Sequence, residues 1–135
     1  MDLIKSMMIS ASGLKAQGQR MRVIAENLAN ANSMGQSPDA DPYRRKVIGF
    51  RAELDRNLGV ERVAVSKVSR DPREFELRHE PSHPAANAKG YVKLPNVNAL
   101  IEMADMREAQ RSYEANLAVI DAAKGMLSRT VDLLR

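Results

Sequence analysis

All six prolines of this chain fall between residues 38 and 95, and none lies in the stretches on either side. Proline lacks the N–H that a helix interior needs, and its ring collides with the preceding turn. The two proline-free ends are therefore free to be helical over their whole length, while the middle is not. The chain divides into a helix within residues 1–35, a small β-rich insert over 36–95, and a second helix within 96–135. This predicts a mainly α fold with a small β-rich insert. Its long N- and C-terminal helices are expected to pair as an antiparallel coiled coil.

Apolar periodicity supports both helices. In the C-terminal stretch Ala99, Met106, Tyr113, Ile120, Leu127 and Leu134 recur every seven residues. Ala109, Leu117, Ala123 and Val131 fall beside them, which makes an apolar stripe along one side of a helix. A helix of about 38 residues would be about 57 Å long, more than a domain of this size is wide. Glu108 and Arg111, Asp121 and Lys124, and Asp132 and Arg135 stand three apart and read as a solvated outer face. Between about residues 3 and 31, Met7, Leu14, Met21 and Leu28 repeat at seven, with Leu3, Ala11, Ile24 and Ala25 widening the stripe. Ile9, Ala16 and Val23 lie off it, so this helix is expected to be buried on more than one side. Gly13 and Gly18 each weaken it by about 1 kcal/mol, which suggests that a neighbouring backbone approaches closely there. Asn30 to Gly35 end the helix, with Gly35 suited to a left-handed turn.

Within the insert, Ile48, Phe50, Ala52 and Leu54 alternate with Val47, Gly49, Arg51 and Glu53, which reads as a strand. Val63 with Val65, Phe75 with Leu77, and Val92 with Leu94 mark shorter candidates. After Pro95, Asn96 or Asn98 caps the last helix. The chain is 44% hydrophobic but only 4% aromatic, with eight Met, so long Ala, Leu, Met and Val contacts fit it better than an aromatic-rich core.

Few residue patterns suggest chemistry. With no cysteine there is no disulfide, thiolate metal site or thiol nucleophile. His79-Glu80-Pro81-Ser82-His83 matches the His-Glu-x-x-His zinc pattern in letters. That pattern needs a helix to stack its two histidines, and Pro81 and Pro84 oppose one. Glu74 and Glu76 read as a solvated strand face, and Arg44-Arg45-Lys46 as a solvated strand edge that could touch phosphate. The net charge of +4 is spread along the chain without interleaved aromatics, which argues against nucleic-acid binding. No run approaches a membrane helix, and the N-terminus lacks the basic and apolar blocks of a cleaved signal peptide. Asn116 falls on the apolar side of the last helix. Pattern alone leaves open whether it fixes register or lies wet at the margin.

Two runs carry a family likeness. Ser12-Gly13-Leu14-Lys15-Ala16-Gln17, followed by Arg20 through Ser33, resembles the N-terminal signature of bacterial flagellar rod, hook and hook-associated axial proteins. Glu102 through Asn116 resembles their matching tail. Gly90 through Asn98 and the short length narrow the likeness to the basal-body rod subunits. Ser33 stands where the family often has threonine, and it keeps the hydroxyl.

The likeness implies a non-enzymatic structural subunit of the rod, the drive shaft that crosses the periplasm and is required for motility. No cofactor, metal, small-molecule substrate or nucleic acid is expected. It implies export without a cleaved signal peptide by the flagellar type III apparatus. The expected partners are further copies of the chain and the rod subunits FlgB, FlgF, FlgG and FliE. Assembly packing is expected from Met7, Leu14, Met21 and Leu28 on the first helix and from Met106, Tyr113, Ile120 and Leu127 on the second. Asn27, Asn30, Asn32 and Asn116 are expected as polar assembly contacts.

Overall fold

The computed structural model describes residues 2–134. Helix α1 spans Leu3–Ala29 and helix α2 spans Ala99–Leu133. Between them run strands β1 (Lys46–Asp55), β2 (Val60–Arg70), β3 (Glu76–His79) and β4 (Tyr91–Leu94). The strands make two separate two-stranded sheets, β1 with β2 and β3 with β4. The second is antiparallel, with Glu76 opposite Leu94 and His79 opposite Tyr91. Two long helices flanking an insert of two small sheets are thus the observed architecture. None of its helices is long and apolar enough to cross a membrane, among the described residues.

Local hydrogen bonds set the element boundaries. Asp2 accepts the Ile4 N–H at 3.0 Å and caps α1. Asn98 accepts the N–H groups of Leu100 and Ile101 at 3.1 and 3.3 Å and caps α2. Of the two asparagines that could have capped this helix, Asn96 is engaged elsewhere. Helix α1 stops two residues earlier than the periodicity suggests. The Asn30 amide donates to the Glu26 carbonyl at 2.8 Å while its oxygen accepts the Ser33 hydroxyl at 3.1 Å, a local alternative to further helix. The β1–β2 turn closes through the Gly59 N–H to the Asp55 carbonyl at 2.8 Å, with Gly59 left-handed at φ 64°. Arg135, proposed to pair with Asp132, lies outside the described residues.

The chain packs as two compact units. The first takes residues up to Arg22, Ile48–Lys67 and the chain from Arg107 on, and the second takes Val23–Val47 and Val68–Met106. In the first unit the most buried side chains are Ser10, Ala16, Ala109 and Ala123. In the second they are Asn27, Val92 and Glu102. Ala, Ser, Asn and Glu side chains thus share the interior with the aliphatic Val23, Ile24 and Val92. The apolar alternation of β1 locates the strand, but Phe50 and Leu54 on it remain exposed.

Two expectations about glycine are corrected. Gly35 is not left-handed; the glycines with positive φ, among the described residues, are Gly59 and Gly90. Gly35 is instead needed for space, since a Cβ there would lie 2.4 Å from the Ala40 carbonyl oxygen. Gly18 has nothing within 4 Å of its added Cβ, so no backbone approaches it within the chain. At Gly13 something does approach, but it is the side chain of Asn116, not a backbone.

These two sites give opposite expectations. Gly35→Ala should lower the unfolding free energy of the purified chain by about 1–3 kcal/mol through overpacking. Gly18→Ala should raise it by up to about 1 kcal/mol, because a helix interior favours alanine and the space is open. Urea titration followed by circular dichroism measures both.

Candidate functional site

In the first unit, α1 and α2 meet through small and polar residues. The Asn116 side chain lies over Gly13, where a Cβ would stand only 2.8 Å from its Nδ2. Glycine is the residue that leaves room for it. Asn116 Nδ2 donates to the Ser112 carbonyl at 2.9 Å, which holds the side chain against its own helix. Seven residues along α1, Arg20 pairs with Glu108 at 3.4 Å. Glu108 thus reaches across to the other helix. On another side of α1, the Ser12 hydroxyl donates to the Ile9 carbonyl at 2.6 Å and accepts the Val63 N–H of β2 at 3.1 Å. Helix α1 is therefore contacted from two directions within this unit, although Ile9, expected on a second buried side, is exposed.

In the second unit a polar junction ties four segments together. Asn27 is 1% exposed and uses its whole amide. Its oxygen accepts the Tyr43 hydroxyl at 2.8 Å and the Lys46 N–H at 2.9 Å. Its nitrogen donates to the Lys46 carbonyl at 2.9 Å and to Glu102 at 3.1 Å. Asn27 thus binds the first residue of β1 at both backbone groups, as a neighbouring strand would. Glu102 is 0% exposed and takes its second partner from the Arg45 guanidinium. Arg45 also lies 3.4 Å from Asp71 and 3.9 Å from Asp105. Asn96 completes the set: it accepts the Arg45 N–H at 2.8 Å and donates to the carbonyls of Asp71 and Arg73 at 3.2 and 3.1 Å.

Surroundings shift three titratable groups at this junction. Asp71 titrates at about 2 instead of 3.8, first because Arg73 donates to its carboxylate and then because of the nearby guanidinium charges, against the opposing effect of burial. Burial raises Tyr43, keeping its hydroxyl protonated as the donor to Asn27. The hydrogen bond to Glu26, at 2.6 Å, raises Lys46.

The run Arg44-Arg45-Lys46 is therefore not a solvated edge. Alternation along an extended chain turns Arg45 into the junction and its two neighbours the other way. Arg44 donates to the Asp71 and Arg73 carbonyls, each at 2.9 Å, and lies 4.2 Å above the Phe75 ring. The His79 to His83 stretch ends β3 and continues as a turn, not a helix. His79 packs edge-on against Tyr91, with ring centroids 5.1 Å apart. His83 Nδ1 accepts the Ala85 N–H at 3.0 Å. Among the described residues no group of three or more His, Asp or Glu is placed to hold a metal.

Of the residues expected to pack on assembly, Met7, Leu14, Met21 and Leu28 are half-buried within the chain, as are Met106, Tyr113, Ile120 and Leu127. Asn30 caps the end of α1, and Asn32 is exposed. Glu102, Asp71 and Tyr43 were not singled out by pattern, Arg45 was read only as part of a solvated edge, and Asn96 only as a possible helix cap. One signal for Glu102 was available: it stands seven, fourteen and twenty-one residues before Ala109, Asn116 and Ala123, and this row turns inward.

Two family descriptions match the chain: flagella basal body rod protein over residues 7–35, and flagellar basal body rod FlgEFG protein C-terminal over residues 88–133. Among similar proteins is the flagellar basal-body rod protein FlgC of Agrobacterium fabrum, 54% identical over 94% of this chain and 91% of that one. The protein of the same name from Escherichia coli O157:H7 is 41% identical over 98% of both chains. That of Bacillus subtilis is 37% identical over 98% of this chain and 99% of its own. The matched segments contain Gly13, Asn27, Glu102 and Asn116.

Removing one partner of the buried pair should be costly. Arg45→Met removes the counter-charge of the buried Glu102 carboxyl and should lower the unfolding free energy by about 3–5 kcal/mol in urea titration. Asp71 gives a pH signature. Its folded value lies below the unfolded one, so its contribution is complete above about pH 4 and is lost as pH falls through about 2. Melting temperatures between pH 5 and pH 2 should show this loss in the parent chain, and Asp71→Asn should flatten that part of the profile.

Proposed function

The chain belongs to the flagellar basal-body rod protein FlgC family and is a structural subunit of the basal-body rod. We propose that it serves there without catalysis, as part of the proximal segment of the shaft that carries torque from motor to hook. In this reading α1 and α2 pair as an antiparallel coiled coil. The contacts of Gly13 with Asn116 and Arg20 with Glu108 in one unit, and of Asn27 with Glu102 in the other, support that direction. The subunit passes the flagellar type III apparatus without a cleaved signal peptide and crosses the periplasm as part of the rod. It contacts further copies of itself and the rod subunits FlgB, FlgF, FlgG and FliE. The insert over 36–95 separates the two helical segments of this core.

The observation that carries the reading is the apolar surface flanking the inward row of α2. At about 100° per residue, Leu117 and Val131 fall to one side of that row, and Val119, Met126 and Leu133 fall to the other. All five are exposed. Apolar surface on both flanks of a helix marks contact sites for other chains. Two different flanks also suit the head-to-tail contacts that an open helical assembly requires. The half-buried Met7, Leu14, Met21 and Leu28 are proposed to face neighbouring subunits in the same way. Asn30, Asn32 and Asn116 are proposed to set the specificity of that packing.

The test is swimming and rod yield in a motile host whose own copy has been replaced. Ile120→Asp should abolish both. Met126→Glu is the sharper variant, because its side chain is exposed and the free chain should melt as the parent does. Normal swimming of both variants at normal expression would overturn the reading.

A further inference from the structure

The side chains on either side of Arg45 in its basic run do not reach Glu102, and they share a cleft. Arg44 and Lys46, joined by Arg70 at the end of β2, line a cleft of about 320 Å³ in the second unit. Tyr43, Pro42 and Phe75 give it apolar walls, and Asp41 is its one carboxylate lining residue.

The charges in this cleft do not balance. Lys46 is paired with Glu26, and Asp41 with Lys93 at 3.1 Å. Arg44 donates through Nη1 to two carbonyls, which satisfy hydrogen bonds without cancelling its charge. Among the described residues no carboxylate pairs with Arg44 or Arg70. The Arg70 charge is close enough to act on both Tyr43 and Lys46. Arg44 is also held in place, by the two carbonyls on one edge and the Phe75 ring on one face. A cation fixed in this way loses little rotamer freedom on binding, and a guanidinium fork matches a carboxylate in shape.

We propose that this cleft is a socket for a carboxylate side chain, an Asp or Glu presented by a neighbouring rod subunit. The proposal rests on the rod reading, which surrounds the subunit with other protein chains. Two cations enclosed in such an interface without a counter-charge would oppose assembly, so the partner supplies it.

Charge reversal tests the socket. Arg70→Glu should cut rod yield by about tenfold, and the neutral Arg70→Gln should fall between it and the parent. Arg70 is exposed, so both purified variants should keep the parent's circular dichroism and melting temperature. Suppressors of Arg70→Glu should change an Asp or Glu of another rod subunit, or of a second copy, to Lys or Arg. Normal swimming of Arg70→Glu would overturn the socket. So would suppressors that are absent or that only neutralise acids around the cleft in the same chain. Failure of the socket alone leaves Ile120→Asp immotile, whereas failure of the rod reading leaves both strains swimming.

Discussion

A carboxylate fully removed from water, that of Glu102, sets the terms for the second unit. An ionised group in that position is tolerable only when each oxygen has a donor and its charge has a counter-charge. Arg45 supplies the charge and Asn27 the other donor. Both are then committed, and their commitments place everything nearby. Asn27 fixes the first residue of β1 through the Lys46 backbone. Arg45 draws in Asp71, at the exit of β2. Asn96 closes the circle from the approach to α2. Four segments distant in sequence are located by one cluster of ion pairs and amide hydrogen bonds, in a unit whose buried apolar side chains are Val23, Ile24, Ala85 and Val92.

In this arrangement polar and small side chains hold much of the interior, while many large apolar side chains face outward. Within the chain, Gly13, Arg20 and Asn27 contact α2 at seven-residue intervals, and Ala109, Asn116 and Ala123 continue the row of Glu102. Leucines and methionines lie beside these rows. A chain meant to stand alone would do the reverse, because apolar burial is the main source of stability. Here the directional contacts are spent inside the subunit. Much of the larger, less directional apolar area stays on the outside of the subunit, where the proposed rod contacts would cover it.

That inversion also decides what was legible in the sequence. Proline placement and seven-residue apolar repeats locate both helices, and alternation locates β1, because those signals depend on backbone geometry alone. The family likeness was legible in the runs around Asn27 and Asn116. The junction was not, because an apolar search passes over a glutamate or arginine. Arg45 looks like its neighbours until the direction of its side chain along the extended approach to β1 is known. Gly13 and Gly18 look alike as letters, and only the position of Asn116 separates them. Gly35 reads as a turn residue, yet what it supplies is clearance for the Ala40 carbonyl.

The notch at Gly13 has a mechanical consequence. Sliding α1 past α2 by one helical turn would bring Asn116 against Ile9 or Gln17, both of which carry side chains where glycine has none. The amide therefore has one resting place along that part of α1, and it works as a detent. Small axial shear is returned to the same position, and larger shear meets a steric wall before the helices can settle one turn away. A shaft assembled from such subunits would hold its pitch under load through an absent methyl group as much as through any bond.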